Sequence, residues 1–205
     1  SRDDIKQILS RKEKIMIDYL LTHIDEDLIE ELLSHKKDTL EDGLIQDSSG
    51  RVKRRSNITW LEHPIVGPVS GGKETLSQEV FRMVKDVNKD RWQSNIDTIE
   101  ALQYSEYPVD GEYGWHQDIL GKPYPDGRIR KVTFSILIND DYTGGEFDLE
   151  IHGPEHEEEG KRYITFSRQE TDQNILFFES SMWHRVRPVK SGLRKSLVGW
   201  SLGPA

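Results

Sequence analysis

The chain has 205 residues and a net charge of −9, from 28 Lys and Arg against 37 Asp and Glu. This length suits one domain with a full hydrophobic core, for which five Trp, seven Tyr and six Phe supply bulky side chains. The absence of cysteine excludes disulfides, thiolate metal sites, iron–sulfur clusters and cysteine nucleophiles. Any bound metal therefore needs His and carboxylate ligands.

The charge and hydropathy patterns also bear on partners and location. An acidic chain is poorly suited to following a phosphate backbone, so we expect no nucleic-acid partner. No apolar run approaches the roughly 20 residues that span a bilayer, and the first four residues, Ser-Arg-Asp-Asp, do not resemble a signal peptide. We therefore expect a cytoplasmic protein without membrane association. The oligomeric state does not follow from the sequence.

The first 95 residues carry mixed helix and strand patterns. Apolar residues alternate over residues 15–19 as in a strand, and Asp25 is placed as the N-cap of a helix. Residues 54–61 have strand character. Over residues 74–92 the apolar side chains recur at helical spacing, which predicts an amphipathic helix packed on a sheet. We expect these elements to buttress the part of the chain that follows.

From residue 96 onward, short β-rich runs alternate with turn residues. Eight strands are predicted, at residues 99–104, 113–118, 131–139, 146–151, 162–166, 175–179, 183–188 and 195–202. Eight strands suggest a two-sheet jelly roll or barrel, so the fold class is mainly β with α. The acidic run at residues 155–159 is expected to be a solvated hairpin tip. We expect one domain over residues 1–205, with residues 96–205 as its β core.

His116 and Asp118 are the central candidates for chemistry. Side chains at i and i+2 of a strand project from the same face, so this spacing directs an imidazole and a carboxylate at one point. The chain contains a second His-X-Asp triplet at residues 23–25, but its Asp is better explained as a helix cap. His184, in another strand-like run, is a suitable third ligand.

Two His and one carboxylate form the ligand set of non-haem Fe(II) oxygenases, which leaves three coordination positions open. Zinc also accepts such a set, so these three residues leave the metal undecided. Arg194 favours iron. If the intervening turn is centred on Ser191, His184 faces Val198, and Arg194 and Trp200 share its inward face. A dicarboxylate that chelates the metal at one end then meets the guanidinium of Arg194 at the other.

Three blocks of sequence carry a family resemblance: residues 107–118 (YPVDGEYGWHQD), 138–147 (INDDYTGGEF) and 184–194 (HRVRPVKSGLR). In this order they resemble the prolyl 4-hydroxylase-like family of Fe(II)/2-oxoglutarate-dependent dioxygenases, over about residues 96–204. The resemblance implies a double-stranded β-helix with an iron-binding HxD and distal His. It also implies a basic residue for the distal carboxylate of 2-oxoglutarate and a Tyr that lines the co-substrate pocket. These roles fall on His116, Asp118, His184, Arg194 and Tyr107.

The resemblance further implies an enzyme with Fe(II), with 2-oxoglutarate and O₂ as co-substrates, and with ascorbate as an additional cofactor. Such an enzyme hydroxylates its substrate while 2-oxoglutarate is decarboxylated to succinate. Peptidyl proline is the preferred substrate, so we expect a peptide or protein partner that contains proline. Collagen-type enzymes have Lys at the basic position, and Arg194 followed by Lys195 disfavours collagen. Two alternatives stay open: a hydroxylase of a small molecule or nucleobase, and a non-enzymatic jelly-roll binding module.

Several weaker candidates complete the set. Trp200 has the inward parity expected of a wall of the 2-oxoglutarate pocket, although an aromatic residue on a barrel strand is usually core. Tyr104 and Thr133 are explained equally well by packing within their strands and by contact with the co-substrate. The basic run at residues 53–55 is better explained as a solvated strand edge than as a substrate contact. The histidines expected to be turn residues rather than ligands are His63 and His152.

Overall fold

The computed structural model describes residues 19–65, 74–119, 121–151 and 163–205. Two helices lie in these ranges, α1 (Glu26–Ser34) and α2 (Leu76–Asp90). Asp25 caps α1, because its carboxylate accepts a backbone N–H from the first turn at 3.0 Å. Thr75 and Gln78 form a reciprocal capping box at the start of α2. Neither of these helices is long and apolar enough to cross a membrane.

The described strands are β1 (Tyr19–Thr22), β2 (Glu41–Asp42), β3 (Ile45–Gln46), β4 (Val52–Arg55), β5 (Asn57–Trp60), β6 (Thr98–Ile99), β7 (Gln103–Tyr107), β8 (Glu112–His116), β9 (Arg128–Leu137), β10 (Thr143–Gly144), β11 (Phe147–Glu150), β12 (Tyr163–Phe166), β13 (Ile175–Glu179), β14 (His184–Val186), β15 (Val189–Ser191) and β16 (Arg194–Pro204). The major sheet has the order β1-β13-β9-β16-β7-β5-β2, with β6 also paired to β16. The minor sheet has the order β12-β11-β14-β8-β4-β3, and β10 pairs with β15 in a separate ribbon.

Two hydrophobic layers stabilise the fold, and strand β13 contributes to both. Its side chains alternate between the two faces of the major sheet. Ile175 and Phe177 belong to the cluster that includes residues of α1 and α2, whereas Leu176 and Phe178 belong to the cluster between the two sheets. The result is a jelly roll whose major sheet is covered by helices, as predicted from the sequence.

The predicted strand at residues 99–104 is two strands, β6 and β7. Both pair with β16, Ile99 with Ser201 and Gln103 with Val198. The segment from Ile99 to Gln103 contains one residue more than the segment of β16 from Val198 to Ser201 that faces it. The ladder of hydrogen bonds is therefore interrupted in the manner of a β-bulge. The predicted strands from residue 131 onward otherwise agree with β9, β11, β12, β13 and β16 to within three residues at each end.

Two predicted strands change sheet part-way along. Residues 54–61 are divided at Ser56 between β4 of the minor sheet and β5 of the major sheet. The ladder of residues 183–188 ends with β14 at Val186, because Pro188 has no N–H to donate, and the chain continues as β15 in the ribbon. Strands β14 and β16 therefore lie in different sheets. The acidic run at residues 155–159 and His152 are outside the described residues.

A buried carboxylate, Asp148 of β11, ties the minor sheet together. It accepts hydrogen bonds from Nε of Arg185 at 2.6 Å, from Nε of Arg187 at 2.8 Å and from the hydroxyl of Thr165 at 2.7 Å. Burial opposes the ionisation of Asp148, but Arg187, Thr165 and Arg185 outweigh burial and hold its pKa below the ordinary value. The ionised carboxylate therefore stabilises the folded chain.

Replacement of Asp148 by Asn is expected to lower the free energy of unfolding at pH 7 by about 1.5–3 kcal/mol, the range for hydrogen bonds to charged groups. A lowered pKa in the folded state gives stability that is present above the ordinary carboxyl pKa of about 4 and is lost as pH falls through the folded value. The gap between wild type and Asp148→Asn should therefore narrow from pH 6 towards pH 3 in urea titrations. Asp97→Asn, which loses an exposed partner of Arg128, should cost at most about 1 kcal/mol.

Candidate functional site

A cavity between the two sheets brings together the ligands predicted from the sequence. His116 ends β8 and His184 begins β14, and the two are direct cross-strand partners in the minor sheet. Asp118 lies two residues beyond the end of β8 rather than on the strand, and its backbone N–H donates to the carbonyl of Ser180. The ligand atoms of the three all lie within 4.8 Å of one another. In the described ranges no other such group of three could hold a metal ion.

Both imidazoles are oriented so that Nε2 faces Asp118. Nδ1 of His116 lies 2.8 Å from the carbonyl oxygen of Gly114, and Nδ1 of His184 lies 2.9 Å from that of Met182. Because a carbonyl oxygen only accepts, Nδ1 carries the proton and Nε2 keeps a lone pair for a metal. The two Nε2 atoms lie 3.6 Å and 3.5 Å from the carboxylate oxygens of Asp118.

The electrostatics of the three ligands suit a cation. Burial opposes the ionisation of Asp118, but His184 and His116 outweigh burial and lower its pKa. The hydroxyl of Thr133 donates to Asp118 at 2.9 Å and lies 2.9 Å from that of Ser180. Burial, followed by the neighbouring His184, lowers the pKa of His116 to about 3. An ionised carboxylate beside a neutral imidazole is the protonation state that metal binding requires.

Arg194, at the start of β16, faces the same cavity from the major sheet and is only 2% exposed. Its Nε donates to the carbonyl of Gly145 at 2.9 Å, whereas its Nη1 has no hydrogen-bond partner. A Cβ on Gly145 would come within 2.8 Å of Cδ of Arg194, and the φ of Gly145 is 64°, so this position requires glycine. A buried guanidinium with an unpaired N–H is suited to an anionic group in the cavity.

The predicted hairpin geometry behind Arg194 is wrong. His184 does not pair with Val198, because the chain leaves the minor sheet before Pro188 and β16 pairs with β7 and β9 of the major sheet. The parity predicted along β16 nevertheless holds, and alternate residues from Arg194 to Trp200 line the cavity. They meet His184 because the two sheets face each other.

Tyr107 and Trp200 also line this cavity. Tyr107 is the cross-strand partner of Arg194, whose guanidinium carbon lies 5.2 Å from the centre of the phenol ring. Trp200 is buried, and its indole N–H is directed at Asp118, whose pKa it helps to lower. Arg130 stacks on the indole, with its guanidinium carbon 3.9 Å from the ring centre. Tyr107 therefore supports the guanidinium of Arg194, and Trp200 supports the ionised state of Asp118 at the wall of the cavity.

Tyr113 is a site residue that the sequence did not indicate. Its ring stacks on the imidazole of His116, with centroids 3.5 Å apart and planes within 10°, and it lines the cavity. Simple alternation of side chains along β8 predicts that Tyr113, three residues before His116, points away from the cavity. A shift in register between β8 and β14, in which His184 pairs with His116 but Val186 pairs with Tyr113, turns it inward. Burial raises the pKa of Tyr113 to about 12.

Arg54 corrects the prediction for the basic run at residues 53–55. It is 6% exposed and lines the cavity rather than a solvated edge. Its Nε donates to Ser56, and its Nη2 donates to Gln103 and Ser105 of β7 at 2.8 Å and 3.1 Å. These bonds connect the minor sheet to the major sheet across the cavity. Alternation along β4 permits one residue of this run to point into the cavity, but nothing in the sequence indicates that Arg54 is that residue.

Replacement of Arg54 by Ala should lower the free energy of unfolding by about 1–3 kcal/mol, because it leaves buried polar groups of β7 unpaired. Arg55 is the matched control, since it is the next residue on the same strand and is exposed. Arg55→Ala should stay within about 0.5 kcal/mol of wild type. Urea titrations at one pH measure the free energy of unfolding of wild type, Arg54→Ala and Arg55→Ala. An equal loss of stability in the two variants would contradict a specific role for the hydrogen bonds of Arg54.

Three weaker candidates also have defined positions. Tyr104 does not face the cavity, because its ring belongs to the cluster that includes the helices and its hydroxyl donates to Glu106. The expected alternative for Tyr104, packing within its strand, is the one observed. Thr133 lines the cavity and contacts Asp118. His63 is exposed and does not line the cavity.

Residues 102–202 match the family model of the 2OG-Fe(II) oxygenase superfamily. This range contains the metal triad, Tyr107, Arg194 and Trp200. This match shows that the chain belongs to the 2OG-Fe(II) oxygenase superfamily. Members of this superfamily use Fe(II) with 2-oxoglutarate and O₂, and the ligand set of the cavity is the one expected of a non-haem Fe(II) centre.

Curated relatives are similar to about half of the chain. A PKHD-type hydroxylase of Synechococcus sp. strain CC9902 is 29% identical over 107 residues, which are 51% of this chain and 42% of that protein. A PKHD-type hydroxylase of Gloeothece citriformis is 33% identical over 104 residues, 50% of this chain and 42% of that protein. This oxygenase chain thus aligns with less than half the length of either relative.

Solved structures agree on the fold of the oxygenase. A prolyl hydroxylase of Trichoplax adhaerens, in complex with a peptide fragment of the hypoxia-inducible factor oxygen degradation domain, has a TM-score of 0.59 at 17% identity. The match covers 95% of this chain and 90% of that one. A prolyl-4-hydroxylase of Pseudomonas putida has a TM-score of 0.55 at 16% identity, covering 89% and 90%. Both likenesses concern the architecture.

The residues of the cavity fit the groups that the oxygenase superfamily uses. His116, Asp118 and His184 supply two imidazole nitrogens and a carboxylate within reach of one ion, a set that suits Fe(II). Arg194 supplies an unpaired, buried N–H, a group that suits a carboxylate. The metal ligands lie on the minor sheet or just beyond it and the cation on the major sheet, so a bifunctional acid has a partner on each side.

Proposed function

We propose that this chain is an Fe(II)/2-oxoglutarate-dependent hydroxylase that acts on a prolyl residue of a peptide or protein. The observation that carries the proposal is the buried guanidinium of Arg194, with its unpaired Nη1, in the same cavity as the triad of His116, Asp118 and His184. A zinc site needs no such cation. A non-enzymatic jelly-roll module needs neither the convergent ligands nor the buried guanidinium.

In the proposed reaction, Fe(II) bound with 2-oxoglutarate supplies the activation of O₂ for hydroxylation of a C–H bond. His116 and His184 present Nε2 because backbone carbonyls hold their Nδ1 protons. Asp118 stays ionised and is oriented by Thr133. Arg194 would hold a carboxylate of 2-oxoglutarate through its unpaired Nη1, and Tyr107 supports its guanidinium. Trp200 closes the wall of the co-substrate pocket.

The preference for a peptidyl substrate is supported by the similar proteins. The relatives from Synechococcus and Gloeothece are named PKHD-type hydroxylases, and the Trichoplax prolyl hydroxylase was solved with a peptide fragment. A viral collagen prolyl hydroxylase from Paramecium bursaria Chlorella virus-1, solved with 2-oxoglutarate, has a TM-score of 0.55 at 16% identity. Arg194 in place of Lys favours a substrate other than collagen.

The test is incubation of the chain with Fe(II), 2-oxoglutarate, ascorbate and a panel of proline-containing peptides. We expect one peptide to gain the mass of one oxygen atom and succinate to form in equal amount. Fragmentation of the product should localise the oxygen to proline. Oxygen on another residue would leave a peptidyl hydroxylase but contradict the proline preference. Turnover only with free small molecules or nucleobases would assign the chemistry to the alternative class of substrate.

A further inference from the structure

Arg54 is a buried cation of the metal cavity whose hydrogen-bond partners are all neutral. It is 6% exposed and lines the cavity. Its Nε donates to Ser56, and its Nη2 donates to Gln103 and Ser105. These bonds leave Nη1 without a hydrogen bond to a described residue. A buried charge without a counterion is costly, so the position of Arg54 favours an anion in the cavity.

The carboxylates near Arg54 have other positions or other partners. In the described part of the chain, Arg54 forms no ion pair. Glu112, on the neighbouring strand β8, lines the depression on the opposite face of the minor sheet. Glu106 lies between two cavity-lining residues of β7 and therefore points to the other face of that strand. Asp42 and Asp47 are exposed and accept backbone N–H groups of their own turns.

The charge of the loaded cavity can be counted from its lining. Among the described residues that line it, Asp118 is the sole carboxylate, and it is a ligand of the proposed metal site. Fe(II) and the dianion of 2-oxoglutarate bring equal and opposite charges. Asp118 then balances one of the two guanidinium groups, those of Arg54 and Arg194, and one positive charge remains. Because Arg194 is proposed to hold the co-substrate, this excess belongs to Arg54.

Arg54 and Arg194 occupy different positions along the cavity. Arg54 binds Gln103 and Ser105 of β7, whereas the cross-strand partner of Arg194 is Tyr107 of the same strand. Ser105 and Tyr107 are two residues apart, which is roughly 7 Å along a strand. The two guanidinium groups therefore have separate partners, and Arg54 is available to a second anionic group.

Arg54 is also close to the reaction centre. Its guanidinium carbon lies 5.0 Å from the ring centre of Tyr113. That ring stacks in turn on the metal ligand His116 at 3.5 Å. One aromatic ring thus separates the free N–H groups of Arg54 from a ligand of the metal. An anionic group held by Arg54 would lie beside the part of the substrate that reacts.

We propose that the substrate carries a carboxylate close to the residue that is hydroxylated, and that Nη1 of Arg54 binds this carboxylate. This inference rests on the proposed hydroxylase function. A guanidinium donates to a carboxylate about twice as strongly as to a neutral carbonyl. A peptide can supply the carboxylate as an Asp or Glu side chain beside the proline, or as the terminal carboxylate of a chain that ends at proline.

The test is fluorescence anisotropy of labelled peptides with the chain loaded with Mn(II) and 2-oxoglutarate, which measures binding without turnover. Two matched pairs of peptides are compared. In one pair the proline is followed by Glu or by Gln, and in the other the peptide ends at proline as the free acid or as the amide. We expect the carboxylate form of one pair to bind about tenfold more tightly than its neutral form. That pair identifies the source of the carboxylate.

Gln103→Glu is the sharpest variant, because it is nearly isosteric and places a carboxylate of the chain itself on Nη2 of Arg54. This internal counterion should reduce the preference to less than about twofold while Arg54 stays in place. Arg54→Gln should also abolish the preference, and Arg54→Lys, which keeps the charge, should retain part of it. Arg55→Gln is the matched control, since it removes the same charge from the exposed neighbouring position of β4, and it should keep the full preference.

Equal binding of the acidic and neutral forms in both pairs would overturn the proposal. So would a preference that survives in Arg54→Gln or is lost equally in Arg55→Gln. If Arg54→Gln weakened binding of 2-oxoglutarate more than binding of the peptide, Arg54 would belong to the co-substrate site instead. A preference that depends on Arg54, in a chain that hydroxylates no peptide of the set, would support the carboxylate site and contradict the proposed function.

Discussion

Replacement of His184 by Ala is expected to weaken binding of Mn(II) more than about a hundredfold and to abolish conversion of 2-oxoglutarate. Loss of a residue that only orients a metal ligand costs about 10–100-fold in affinity, and His184 is proposed as a ligand itself. Its Nε2 lies 3.5 Å from Asp118, so Ala removes one of three donors from a small, buried site. Isothermal titration calorimetry with Mn(II) measures the loss without turnover.

Two variants make the His184 result specific. Thr133→Val removes the hydroxyl that donates to Asp118 but no ligand, and it should fall within the 10–100-fold range. His23→Ala alters the other His-X-Asp triplet, whose Asp25 caps α1, and it should bind Mn(II) like wild type. Comparable metal binding by His184→Ala and His23→Ala would refute the assignment of the triad. Circular dichroism checks that each variant is folded.

The pair of His116 and Asp118 could be predicted because its signal is local. The spacing of His116 and Asp118 puts both side chains on one side of an extended segment, whether the strand continues to Asp118 or, as observed, ends at His116. His184 required a partner in space, and the sequence supplied only a strand-like run that contained a histidine. Cross-strand pairing of His184 with His116 brings the third ligand beside the other two. The fold class followed from eight short strands with turn residues between them.

The part of the site that escaped prediction depends on irregular pairing. Tyr113 faces the cavity because one register shift between β8 and β14 reverses its parity, and a bulge leaves no reliable mark in sequence. Arg54 is buried because three polar side chains from neighbouring strand segments meet it, and such a set of partners is visible only in three dimensions. Arg194 was placed in the cavity by correct parity and an incorrect pairing, since parity is a property of one strand and pairing is a property of two.

Replacement of Arg194 by Ala is expected to raise the 2-oxoglutarate requirement at least tens of fold while Mn(II) binding stays near normal. Arg194 lies in the major sheet and the three metal ligands lie on or beside the minor sheet, so the substitution removes the partner of a carboxylate and no donor to the ion. Truncation of one partner of a buried charge pair costs about 2–5 kcal/mol, and every 1.4 kcal/mol is about tenfold in affinity. Calorimetry of 2-oxoglutarate with the Mn(II)-loaded chain reports the loss without turnover.

Lys195 is the matched control for Arg194, because it is the neighbouring cation on β16 and successive residues of a strand point to opposite faces. Its backbone N–H donates to Asn139, and its cross-strand partner is Glu106, whereas the cross-strand partner of Arg194 is Tyr107 of the cavity. Lys195→Ala should therefore change 2-oxoglutarate affinity less than twofold. Arg194→Lys keeps the charge but loses the planar fork, so it should fall between Arg194→Ala and wild type. If Lys195→Ala were the damaging change and Arg194→Ala the harmless one, Arg194 would not be the carboxylate anchor, and the dicarboxylate would have to enter the cavity in another orientation.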